Sequence, residues 1–131
     1  MSRELAEKLP NWFLGNKTQE DFGKLLNEFK GKPNLKFLEI GSFCGNSAAW
    51  TIENILTDKS STLTCVDPWN GNILHEEFNF SDVEAAFDQQ VEPFKDQLIK
   101  QKKPYIAVRL FFNCGPTWAR TRDHLIMSQV L

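Results

Sequence analysis

Residues 38–47 read Leu38-Glu39-Ile40-Gly41-Ser42-Phe43-Cys44-Gly45-Asn46-Ser47. An apolar run that enters glycines and then a helix start is a strand–turn–helix junction. There, backbone N–H groups and a helix N-terminus come close to a ligand. Gly41 supplies the positive φ of a sharp turn, and Gly45 lets helix and strand pack closely. On the N-terminal side, Leu35 to Ile40 (LKFLEI) is short and apolar, which predicts a mostly buried strand. On the C-terminal side, Ala48, Ala49, Ile52, Ile55 and Leu56 fall at helical spacing between Asn46 and Thr57. Ser61 to Val66 (STLTCV) is rich in β-branched residues and stops at Asp67-Pro68, a second strand. Strand, glycine turn, helix and strand make a βαβ unit, hence an α/β chain with parallel strands.

Further out, Phe22, Leu25, Leu26 and Phe29 place one apolar stripe on a helix over Thr18–Lys30. Thr18 is its expected N-cap and Gly31 its stop. Beyond a polar loop from Trp69 to Asn79, Ser81 with Glu84 forms a capping-box signal. Val83, Ala86, Phe87 and Val91 then build a second amphipathic helix, interrupted at Pro93. The third strand is either Gln97 to Lys102 (QLIKQK) or Tyr105 to Phe112 (YIAVRLFF), and hydrophobicity alone favours the latter.

The chemistry follows from the turn and from one acid. Asp67 stands 26 residues after Gly41 at the end of the next strand, where a carboxylate accepts hydrogen bonds from ribose hydroxyls. Together they predict an adenosine-containing cofactor across the carboxyl ends of two strands. A dinucleotide turn needs G-x-G-x-x-G, whose middle glycine admits the pyrophosphate. Phe43 holds that position here, and Glu39, two residues before Gly41, would repel phosphate. An acidic turn suits a cation, and S-adenosylmethionine brings a sulfonium and an ammonium group with no phosphate.

Composition sets outer bounds. The chain has 131 residues, 41% hydrophobic, with a net charge of −2, which excludes a disordered chain and a nucleic-acid binder working through bulk positive charge. The charge is divided: residues 1–99 carry −7 and residues 100–131 carry +5. Cys44, Cys65 and Cys114 form no CxxC pair, so neither a disulfide framework nor a zinc site is expected. Met1 to Lys8 has no apolar core of a signal peptide, and no run approaches the ~20 apolar residues of a membrane span. A cytoplasmic location without membrane or nucleic-acid partners is the expectation. His75-Glu76-Glu77 reads as a solvated loop and Lys100, Lys102 and Lys103 as a solvated face.

At these residues the sequence resembles the class I S-adenosylmethionine-dependent methyltransferases. It is most similar to the small bacterial-type group whose E-I-G-S-x-x-G-x-S motif stands here as Glu39 to Ser47, with D-P-W as Asp67-Pro68-Trp69. The resemblance covers about Asn11 to Lys103. It implies an α/β, Rossmann-like three-layer fold, present only in part, as strands 1–3 of a seven-stranded sheet. It places Glu39, Gly41, Ser42 and Gly45 at the methionine and sulfonium end of S-adenosyl-L-methionine, Asp67 on the ribose and Trp69 beside the adenine. Asn46 and Pro68 complete the matched motifs. It also favours Leu98 to Lys102 as the third strand. No catalytic acid, base or metal ligand is assigned, and the methyl acceptor is expected to be a small molecule. By this resemblance residues 1–104 are expected to form the N-terminal part of a methyltransferase domain. Residues 105–131 match nothing in the family and read as an atypical basic tail, so the acceptor half is missing. Without the fourth strand, Leu35 to Ile40 becomes an open edge and the chain is expected to be aggregation-prone or to need a partner. The competing readings are a non-catalytic remnant that binds adenosine ligands weakly or not at all, and an NAD-linked oxidoreductase.

Overall fold

A computed structural model describes residues 3–69 and 79–103. Three parallel strands form the sheet: β1 (Lys36–Ile40), β2 (Thr62–Asp67) and β3 (Leu98–Lys102), with β2 in the middle. Phe37 pairs with Leu63 and Glu39 with Cys65, while Cys65 pairs with Lys100 on the other side. The helices are α1 (Glu4–Glu7), α2 (Thr18–Leu26), α3 (Asn46–Asn54) and α4 (Phe80–Val91). The βαβ unit is therefore present, and the third strand is the Leu98–Lys102 candidate. Tyr105 to Phe112, the basic tail and His75 to Glu77 lie outside the described residues.

Several boundaries differ from expectation for local reasons. Thr18 is the first residue of α2 rather than its cap; Lys17 precedes it at φ 61° with no side-chain cap. The helix ends at Leu26 and tightens into a 3-10 turn over Asn27–Phe29, and Gly31 stops it at φ 75°. The α4 cap is Asn79, whose Oδ1 accepts from Ser81 N at 3.1 Å and Ser81 Oγ at 2.6 Å. Pro93 falls in a 3-10 turn directly after α4.

In a parallel sheet, paired neighbours present their side chains on the same face. One face therefore carries Phe37, Glu39, Leu63, Cys65, Leu98 and Lys100. Leu63 and Cys65 join the core with Ala48 and Ile52 of α3 and Val83, Ala86 and Phe87 of α4. Lys100 Nζ pairs with Glu84 and Asp88 of α4, each at 2.8 Å, and lies 4.9 Å from the Trp69 ring centre. It is thus clamped to the helix layer, where the sequence had predicted a solvated face. The opposite face carries the row Leu38, Thr64 and Ile99. Leu38 is 47% and Ile99 45% exposed, so the first strand is buried on one face and toward its C-terminal end only. Among the described residues the helices that pack on the sheet lie on the Glu39 face, giving two layers.

Gln97 sets where β2 begins. It is buried, and its Nε2 is shared among the carbonyls of Leu56, Asp58 and Ser61 at 2.8–3.1 Å. Those carbonyls belong to the connection between α3 and β2, which would otherwise hold unpaired buried acceptors.

Candidate functional site

The Gly41–Asn46 turn sits at the carboxyl end of β1, between β2 and α3. Gly41 adopts φ 84° and Gly45 φ 88°, and Phe43 between them takes φ 49°. Gly41 N donates to Val66 O at 2.8 Å, which ties the turn to β2. Gly45 makes a close approach, though to α4 rather than between the strand and helix it joins: a Cβ there would lie 3.0 Å from Phe87 Cδ2.

Asp67 organises the turn from the neighbouring strand. Its Oδ2 accepts from Ser42 N at 2.8 Å and Phe43 N at 3.0 Å, and its Oδ1 from Trp69 N at 2.7 Å. A carboxylate offers about four acceptor sites, so about one remains for a further donor. Burial raises the Asp67 pKa, the three N–H groups oppose that, and Glu84 adds to it.

Glu39 is 5% exposed. Its Oε2 accepts from Ser47 Oγ at 2.7 Å, while its Oε1 has no hydrogen-bond partner among the described residues. Burial pushes its pKa up to about 7; the nearby Ser42 and Ser47 hydroxyls oppose this and Asp67 reinforces it. Ser42 is buried beside Glu39, and among the described residues its Oγ makes no hydrogen bond of good geometry. The site thus holds a desolvated acid whose ionised form a cation would stabilise.

Asn46 opens α3, and its side chain is engaged within the protein. Its Oδ1 accepts from Gln90 Nε2 at 2.9 Å and its Nδ2 reaches Cys44 Sγ at 3.3 Å. Cys44 is buried, which pushes its thiol up to about 11 and leaves it unionised at neutral pH. Pro68 is half-buried. Trp69 is 3% exposed at φ 43°, its ring 4.7 Å from that of Phe87 and its Nε1 donating to Phe43 O at 2.8 Å. Of the residues expected to meet a cofactor, Glu39, Gly41, Ser42, Gly45, Asn46 and Asp67 converge on one turn. Trp69 is packed beneath that turn by its contact with Phe87.

One contributor, Gln90, escaped the sequence reading. Gln90 of α4 is buried and donates through Nε2 to Cys44 O at 2.7 Å as well as to Asn46, while its Oε1 accepts from Arg3 Nε at 3.0 Å. The signal was present: Val83, Ala86, Phe87, Gln90 and Val91 make one stripe, and a glutamine on an apolar stripe needs internal partners. Trp12 also bears on the site. Its ring lies 4.7 Å from Phe43, so the N-terminal segment covers the turn and leaves about 10 Å³ beside Ser42 and Asn46.

Among the described residues no group of three His, Cys, Asp or Glu side chains could hold a metal ion, and no helix is long and apolar enough to cross a membrane. Comparison with known proteins finds no matching family model, no similar curated protein and no similar solved structure.

Proposed function

We propose that this chain carries the cofactor half-site of a class I S-adenosylmethionine-dependent methyltransferase that acts on a small-molecule acceptor. The observation that carries the reading is Glu39: a buried acid at the foot of a glycine turn, one of whose oxygens has no hydrogen-bond partner among the described residues. Such a group disfavours a pyrophosphate and favours a sulfonium or ammonium cation. Phe43, half-buried against Trp12, supports the same choice, because a side chain there obstructs the backbone approach a dinucleotide needs.

The residues at the turn supply matching chemistry for the cofactor, while the space left beneath Trp12, about 10 Å³, admits it only if that segment moves. Glu39 offsets the cofactor's positive charge, and Asp67 uses its remaining acceptor site on a ribose hydroxyl. Gly41, Ser42, Gly45 and Asn46 form the cradle at the start of α3, and Pro68 and Trp69 bound it on the β2 side. When bound, S-adenosylmethionine supplies an electrophilic methyl group. The protein's share in an in-line transfer is to hold the acceptor against that methyl.

A second reading rests on Trp69. Its ring is buried against Phe87 and its N–H is taken by Phe43, so it is not free to flank an adenine, as a non-catalytic remnant would have it. Calorimetric titration of the full chain with S-adenosylmethionine, S-adenosylhomocysteine and NAD separates the readings. We expect the two sulfur ligands to bind and NAD not to. Binding of NAD alone would replace the reading with an oxidoreductase, and binding of none would leave the remnant.

A further inference from the structure

The segment that roofs the turn is pinned on both sides of a single half-buried ring. It runs from α1, which packs on α4, to the start of α2. Leu9 N donates to Ala6 O at 3.1 Å, Gly15 N to Asn11 O at 3.2 Å and Gln19 N to Phe13 O at 2.9 Å, so the backbone is held. Phe13 is buried, its ring edge-on to Phe22 at 5.3 Å and to Trp50 at 5.4 Å. Trp12, one residue earlier, is half-buried and lies on Phe43. Pro10, Trp12 and Phe13 enclose the void of about 10 Å³ together with Ser42, Cys44 and Asn46.

Roof and floor do not match. The roof is apolar, whereas Ser42 below it is buried and its Oγ makes no hydrogen bond of good geometry among the described residues. Leaving such a group dry is costly, and the void is at the lower limit for one water. Water or a ligand reaching the turn would relieve that cost. The void also shares Phe13 and Asn46 as walls with a cavity of about 200 Å³ beside α3, so room adjoins it. We propose that Trp12 is a gate on the turn: its ring swings off Phe43 to admit the ligand, and Phe13, fixed between Phe22 and Trp50, is the pivot. The gate rests on the reading of this turn as a cofactor site and adds how that site is entered.

Two buried thiols report on the gate without any ligand. Cys44 lies under the roof, and Cys65 lies within the sheet, where only wider unfolding exposes it. The test is labelling of the full chain with methyl methanethiosulfonate at pH 8, each cysteine followed by peptide mass spectrometry. Cys44 should react roughly 10- to 1,000-fold more slowly than in the urea-unfolded chain, as for an open state populated at about 0.1–10%, yet clearly faster than Cys65. Trp12→Ala should speed Cys44 labelling by about tenfold or more and leave Cys65 unchanged. Trp12→Phe, which keeps a ring over Phe43, should stay near wild type. Stopped-flow mixing with S-adenosylhomocysteine should show faster association with Trp12→Ala than with wild type. Labelling of both thiols at one rate, no acceleration of Cys44 by Trp12→Ala, equal acceleration of both thiols, or equal association rates would each overturn the gate. Absence of binding to either protein, with the expected thiol pattern, would remove the cofactor reading and leave the gate standing.

Discussion

Glu39 and Gly45 show how much a single position decides here. For Glu39 the folded-state pKa, about 7, lies above its ordinary 4.5, so the native state holds a proton that the unfolded chain releases. Stability contributed in this way is fully present below about pH 4.5 and is lost as the pH rises through 7, by roughly 3 kcal/mol at most. The upward shift of Asp67 acts in the same direction. The lowered carboxylates Glu20, Asp58 and Glu84 act below this window. Urea unfolding at pH 5 and pH 8 should show wild type weaker at the higher pH, and Glu39→Gln should flatten that difference. At Gly45 two costs coincide: φ of 88° and a Cβ that would press on Phe87 at 3.0 Å. Gly45→Ala should destabilise by about 2–4 kcal/mol, read from the urea midpoint. The sequence disclosed the need for a glycine at 45. It did not disclose the partner, because Phe87 lies 42 residues away and nothing local encodes that approach.

At the scale of elements, the βαβ unit was legible because its periodicities are local: the runs before Gly41 and Asp67 and the helical spacing between them need no tertiary information. Helix ends were less so. Ser81 and Glu84 match a capping box, yet the acceptor at the start of α4 is Asn79, while Glu84 is drawn to Lys100 and Lys102 at 2.8 and 2.7 Å. A competing long-range partner removed the residue the local pattern required. Asn79→Ala should therefore cost about 1 kcal/mol of thermal stability, whereas Ser81→Ala should cost less. Leu25 failed similarly. It fits the apolar stripe of α2, but a groove beside β1 leaves it half exposed, and spacing alone cannot say whether a face has a neighbour. The site residues were legible to the extent that they cluster on one turn. The occupancy of Asp67 by three backbone N–H groups was not, since it depends on the exact approach of β2 to the turn.

For the molecule as a whole, the decisive fact is an asymmetric sheet. Helices cover the face of Glu39, Cys65 and Lys100, while on the other face Ile40 and Val66 are buried but Leu38 and Ile99 stand exposed, and β1 pairs on one side among the described residues. An open strand edge beside apolar surface favours self-association. Light scattering should show the chain associating at micromolar concentration, and Leu38→Lys combined with Ile99→Lys should shift it toward monomer without changing its circular dichroism. Gln90 carries a different consequence. It joins α4 to the turn at Cys44, 46 residues away, and to Arg3, 87 residues away. Contacts that span so much chain form only after large loops have closed. The βαβ unit can therefore assemble before its turn is locked, so that Gln90→Ala should speed unfolding and leave refolding nearly unaltered in stopped-flow experiments. The turn proposed to hold the ligand would then be the last part of the protein to become native and the first to be released.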